Sequence, residues 1–169
     1  MPAPGDRLAA VMVPLIGRDF PSAVFTVRAE GLSRHAGEIS FPGGLQDPGE
    51  TLPQTAVREA AEEIGLVGAD ILGSLPPVHT FVSAILMVPF VAGVDTAPDF
   101  VVNRGEIDRI LLFPLADLAR AEESVEYPRE GGRVWHGWAY RMEGDTIWGA
   151  TGMVLHSLLE VVRMKTSWL

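Results

Sequence analysis

Residues 44–66, GLQDPGETLPQTAVREAAEEIGL, compress a glycine-rich loop, a helix start and a helix stop into one short stretch. No other segment restricts the fold as strongly. Thr51 followed three residues later by Gln54 is a capping-box pattern, and Pro53 falls in the first turn, where its missing N–H costs little. Gly65 supplies the left-handed residue that stops the helix. At about 100° per residue, Val57, Ala60, Ala61 and Ile64 share one expected face, with Glu59, Glu62 and Glu63 opposite. Carboxylates spaced i, i+3 and i+4 repel by roughly 0.2–0.5 kcal/mol per pair on an exposed helix. Arg58 offers the local positive charge. Two readings of this face are open: a divalent cation taking oxygen ligands, or a solvated acidic surface.

The spacing carries more. Gly44, five residues, Glu50, seven residues, then Arg58-Glu59-Ala60-Ala61-Glu62-Glu63-Ile64-Gly65-Leu66 resembles the Nudix box at its defining positions. Ala60 stands where that family usually has a larger aliphatic residue. The resemblance implies an α/β/α sandwich with a mixed β-sheet between helices. It also implies a Mg²⁺- or Mn²⁺-dependent pyrophosphohydrolase acting on a diphosphate that links a nucleoside to another group. By position in the box, Glu59, Glu62 and Glu63 would hold metal, Glu50 would be an accessory carboxylate, and Arg58 would orient the glutamates.

Upstream, FTVRAEGLSRHAGEISFPGG resembles the signature that precedes the box in the coenzyme A pyrophosphatase branch, through Thr26, Arg28, Gly37, Phe41, Pro42, Gly43 and Gly44. Ser33 replaces an arginine common in that branch, although Arg34 is adjacent. The resemblance implies substrate-binding roles for Arg28, Arg34 and His35, together with Gly43 and Gly44. The alternative is that Arg28 ends a strand and His35 is a surface loop residue. Glu106, just before a strand-like ILLFPL, resembles a loop glutamate found in many Nudix enzymes, which implies a further metal ligand or general base; the alternative is a glutamate that caps a strand or is solvated in a loop. Glu122, Glu123 and Glu126 lie in a polar stretch that offers another loop carboxylate.

The chain, 169 residues, 47% hydrophobic and 21% charged, is expected to form a single globular domain over residues 1–169. A net charge of −9 argues against non-specific binding to nucleic acid or anionic membrane. Without cysteine there is no thiol nucleophile or thiolate metal site. The start lacks a basic segment before its apolar run, so a cytoplasmic enzyme, monomer or homodimer, is expected.

Residues 8–16, 22–28, 39–41 and 71–81 read as strands or strand-turn segments. Residues 84–94 read as a buried central strand with a bulge or edge at Pro89. Residues 116–123 suggest a short helix, 133–140 a strand, 143–145 a hairpin turn and 150–164 an amphipathic terminal helix. Trp135, Trp138 and Tyr140 are read as core, with stacking on an adenine as the alternative. For coenzyme A the products would be 3′,5′-ADP and 4′-phosphopantetheine. A nucleotide sugar, a dinucleotide or an oxidised nucleotide is the main alternative substrate. A non-catalytic nucleotide-binding domain is the alternative from another class, and such domains commonly lose box glutamates that this chain keeps.

Overall fold

A computed structural model describes residues 7–19, 21–29, 37–80, 84–128 and 134–165. Strands β1 (Arg7–Ile16) and β2 (Ser22–Arg28) form where Val, Ile and Phe are dense. They pair antiparallel only near their turn, Leu15 with Ala23 and Ile16 with Ser22. Beyond it they splay apart, and the chain from residue 39 to 45 fills the wedge. Its strand β3 (Ile39–Ser40) pairs with β2, and β4 (Gly43–Leu45) pairs with β1. The start of the glycine-rich loop, Gly43 and Gly44, is therefore a strand. Gly43 is needed because a Cβ there would lie 2.6 Å from the Cα of Val11.

Helix α1 (Leu52–Ile64) follows, with Gln54 Oε1 accepting both the Thr51 backbone N–H at 2.8 Å and its hydroxyl at 2.9 Å. Gly65, at φ 69°, closes it and returns its N–H to Ala61. The chain then runs through β5 (Asp70–Ser74), β6 (Val78–Thr80) and β7 (Ile85–Val94). β7 lies parallel to β1 over ten residue pairs, from Arg7–Ile85 to Ile16–Val94. On its other edge β7 pairs with β6 up to Met87 and with β5 from Phe90. Pro89 occupies the gap between those partners, where no N–H is needed, and its carbonyl accepts from Leu75. The register slips between Ile71 and Gly73 of β5, not at Pro89.

β8 (Ile107–Pro114) pairs with the free edge of β2, and α2 (Leu115–Arg120) follows. β9 (Glu122–Pro128), β10 (Val134–Met142) and β11 (Asp145–Ile147) make a second, three-stranded antiparallel sheet, before the terminal helix α3 (Gly149–Lys165). The acidic stretch around Glu122–Glu126 is thus a strand rather than a loop.

Alternation along the central strands sorts the core into two layers. Ala10, Met12 and Val24 meet Ala56, Ala60 and Ile64 of α1 on one face. Val11, Val13, Ala23, Phe25 and Val27 meet Leu115, Leu118 and the Val154, Leu155, Leu158 and Leu159 stripe of α3 on the other. The mixed sheet lies between helices, as expected. Each fully buried Val, Leu, Ile, Phe or Met among them contributes roughly 1.5–3 kcal/mol. Phe41, stacked 4.6 Å from Phe25, anchors the segment that delivers Gly43 and Gly44. One expectation fails here: Val57 is 41% exposed, while Ala56, not predicted, is buried. Residues 56, 60 and 64 form one stripe at i, i+4 and i+8, and the sheet accepts that one. Among the described residues no helix is long and apolar enough to cross a membrane.

Candidate functional site

The wedge and α1 bring the glycines and glutamates together. Glu63 does not project with Glu62 into solvent; it is buried, 3% exposed, between the helix and β4. The Gly43 N–H donates to its carboxylate, while Oε2 has no partner. Burial first, then the charges of Glu59 and Glu106, push Glu63 up to about 8, against the opposing pull of Arg28 and the Gly43 N–H. Burial also raises Glu59, opposed by Arg58 and reinforced by Glu62 and Glu106. Gly44 is where backbone meets that carboxylate: a Cβ would stand 2.6 Å from Glu59 Cδ.

Arg58 fans out over the acidic cluster. Its Nε donates to Glu50 Oε1 at 2.8 Å, one terminal nitrogen reaches Glu59 Oε1 at 2.9 Å and Glu62 Oε2 at 3.1 Å, and the other reaches the Leu45 carbonyl at 3.2 Å. Glu50 is consequently held down at about 2, chiefly by Arg58, with help from the Thr55 hydroxyl at 2.9 Å and the Asp47 N–H. Glu50 thus sits as the counter-ion of Arg58, and Thr55 is a contributor that no sequence signal marked.

Glu106 comes from the segment after β7, which docks on the end of α1. Val101 N–H donates to the Ile64 carbonyl at 3.0 Å and Asn103 N–H to the Glu63 carbonyl at 2.9 Å. These satisfy carbonyls that a helix end leaves free. The Asn103 amide donates to Glu106 Oε1 at 3.3 Å, and the Ala29 N–H donates to the Glu106 carbonyl at 2.8 Å. The charge of Glu106 reaches both Glu59 and Glu63. Asn103 was not anticipated; its turn-forming NRGE context was the available signal. Arg28, at the end of β2, acts on Glu63 from the sheet side, and its Nε is buried without a partner. Arg34 and His35 lie outside the described residues.

Glu122, Glu123 and Glu126 do not join the site. Glu122 accepts from the Tyr140 hydroxyl at 2.7 Å and pairs with His156 Nδ1 at 3.0 Å and Arg163 at 2.7 Å, locking the small sheet to α3. Glu123 faces Arg141, and Glu126 faces His136. Trp138 stacks on His156 with centroids 3.9 Å apart, and Tyr140 is fully buried.

The donor set suits a hard divalent cation. Several carboxylates press their charge on one another, and an oxygen of the innermost, Glu63, is buried with nothing to accept from. Among the described residues no three acidic or imidazole side chains are already converged as ligands. Glu59 and Glu62 would have to turn from Arg58 to meet an ion.

Comparison with known proteins follows the same line. The NUDIX domain family model matches residues 6–130. The "uncharacterized Nudix hydrolase NudL" of Yersinia pestis (strain Pestoides F) is 34% identical over 164 residues, covering 93% of this chain and 80% of that protein. The NudL of Yersinia pseudotuberculosis (serotype O:1b) matches to the same extent, 34% over 164 residues. Among solved structures, the NUDIX domain of Shewanella oneidensis NrtR, complexed with ADP ribose, superposes with TM-score 0.63 at 17% identity over 98% of this chain and 91% of that one. The hydrolase RenU from M. smegmatis gives TM-score 0.57 at 21% identity, over 68% and 74%. These two show a shared fold.

Proposed function

The chain belongs to the Nudix hydrolase family, and from that premise we propose that it cleaves the diphosphate of coenzyme A or its derivatives, giving 3′,5′-ADP and 4′-phosphopantetheine. The coarser activity, pyrophosphate hydrolysis of a nucleoside diphosphate derivative, follows from the family. Nudix enzymes generally use divalent metals such as Mg²⁺ or Mn²⁺. Here Glu59, Glu62 and Glu63 would hold the ion, with Glu50 as an accessory carboxylate through Arg58. When bound, the metal supplies neutralisation of diphosphate charge and polarisation of the scissile bond.

The chain's own residues then do three things. Arg58 fixes the carboxylates of Glu50, Glu59 and Glu62 relative to one another. Gly43 lies against β1 and gives its N–H to Glu63, and Gly44 leaves room for the Glu59 carboxylate, so both glycines place the glutamates that a diphosphate would face. Glu59 or Glu106 takes the proton of the water that attacks phosphorus. The single observation behind the hydrolase reading is the buried, unpartnered Glu63 oxygen inside a cluster of mutually repelling carboxylates.

Support for coenzyme A comes from the segment leading into the box, whose Thr26, Arg28, Gly37, Phe41 and Pro42 resemble that branch's signature. An ADP-ribose substrate is the second reading, favoured by the ADP ribose bound in the NrtR structure. Hydrolysis of coenzyme A beside ADP-ribose, NADH and 8-oxo-dGTP, with products resolved chromatographically, decides between them. The expected result is a clear kcat/KM preference for coenzyme A; its absence refutes the coenzyme A assignment.

A further inference from the structure

A pocket of about 270 Å³ opens beside the end of β2, with Arg28, Asp108, Arg109, Gly144, Asp145 and Thr146 on its walls. β2 contributes Arg28, β8 Asp108 and Arg109, the turn after β10 Gly144, and β11 Asp145 and Thr146. Arg28 belongs both to this pocket and to the acidic site, since its charge acts on Glu63. A register shift between Val27 and Arg28 turns the strand at this point. A group attached to a diphosphate at Glu63 therefore has this pocket within its surroundings.

The lining is polar and partly unsatisfied. Arg28 Nε is a buried donor with no acceptor. Arg109 reaches Asp145 at 2.6 Å with one terminal nitrogen and Asp108 at 3.4 Å with the other. A guanidinium has five N–H donors in a planar fork, so these contacts aim the group without exhausting it. Asp145 is the fixed partner, 14% exposed, and Arg109 the more accessible one at 49%. A carboxylate behind an arginine holds the fork ready for a second acceptor in front.

We propose that this pocket is the subsite for a phosphate monoester on the substrate's nucleoside, with Arg109 recognising it and Asp145 acting as the positioning residue behind Arg109. The inference rests on the coenzyme A reading, because coenzyme A carries such a monoester as its 3′-phosphate. Two aspartates balance the two arginines in the lining, so the pocket is no general anion trap. A phosphate gains only where it meets the guanidinium fork, and the expected discrimination is about tenfold, at the low end for charge-assisted hydrogen bonds.

The test is calorimetric binding of 3′,5′-ADP and AMP to the full chain without metal, so that turnover plays no part. Wild type should bind 3′,5′-ADP about tenfold more tightly than AMP. Arg109→Gln should bring the ratio close to one by weakening 3′,5′-ADP alone, and Arg109→Lys should restore part of it. A loss of fold would weaken both ligands together and leave the ratio unmoved, so a thermal melt of each variant accompanies the titrations. Equal affinity in wild type, preference for AMP, binding of neither nucleotide, or an unchanged ratio in Arg109→Gln each overturns the proposal. Failure of the coenzyme A reading is seen separately, as hydrolysis of coenzyme A no faster than of ADP-ribose.

Discussion

Replacing Glu63 by Gln should make the metal-free protein more stable while destroying its activity. Unfolded, the carboxyl titrates at its ordinary 4.5; folded, burial and neighbouring charges push it up to about 8. A folded-state value above the unfolded one contributes stability that is intact below pH 4.5 and is lost as pH rises toward 8. At about 1.4 kcal/mol per pH unit, wild type forfeits roughly 3 kcal/mol by pH 7 and about 4 kcal/mol by pH 8, levelling near about 5 kcal/mol above that. Gln keeps an oxygen for the Gly43 N–H and carries no charge, so its stability escapes this decline. Urea denaturation in EDTA from pH 4.5 to 9 should show the two proteins nearly equal at the acid end and diverging as pH rises. Mg²⁺ at 100 times its Kd should then return about 2.7 kcal/mol to wild type and nothing to the variant. A variant less stable than wild type at pH 8, or a difference that ignores pH, would refute the reasoning.

Gly44→Ala should lower kcat more than a hundredfold with a stability change under about 1 kcal/mol, because its Cβ displaces only the flexible Glu59 carboxylate. Gly43→Ala should instead cost about 2–4 kcal/mol in a thermal melt, since the clash is with β1 backbone at Val11. Arg58→Lys should reduce activity nearly as much as Arg58→Ala, because one ammonium cannot span Glu50, Glu59 and Glu62. Steady-state kinetics of both variants check this, and near-wild-type activity in Arg58→Lys would contradict it. Tyr140→Phe should cost about 1.5–3 kcal/mol by removing the hydroxyl that Glu122 accepts, with kcat unchanged.

Much of the site was legible because its chemistry is local. The cap at Thr51, the stop at Gly65 and the glutamates between them are all set by spacing within one helix. The depth of Glu63 was not legible. Both 56-60-64 and 57-61-64 are apolar stripes, and only the position of the sheet selects between them. β4 was missed because Gly43–Leu45 has no alternation; it is a strand because β1 and β2 splay and leave an edge to fill. β9 was missed because EESVEYP is acidic. Its least exposed carboxylate, Glu122, accepts from Tyr140 and is held by His156 and Arg163, residues far along the chain that no local window contains. Asn103 escaped for the same reason, since its partners belong to α1 and the turn before β8.

The parallel ladder between β1 and β7 also dictates an order of assembly. The box lies in the interval between these strands, so a nascent chain that ends before Ile85 already holds Glu50, Glu59, Glu62 and Glu63 but lacks the part of their helix's seat that β7 supplies. Phe90 and Ala92, which pack with Ala56, Ala60 and Ile64, arrive only with β7. Completion of the acidic cradle is thus a late event in synthesis, and an amino-terminal fragment carrying the whole motif would rest its helix on the earlier strands alone and would lack Glu106.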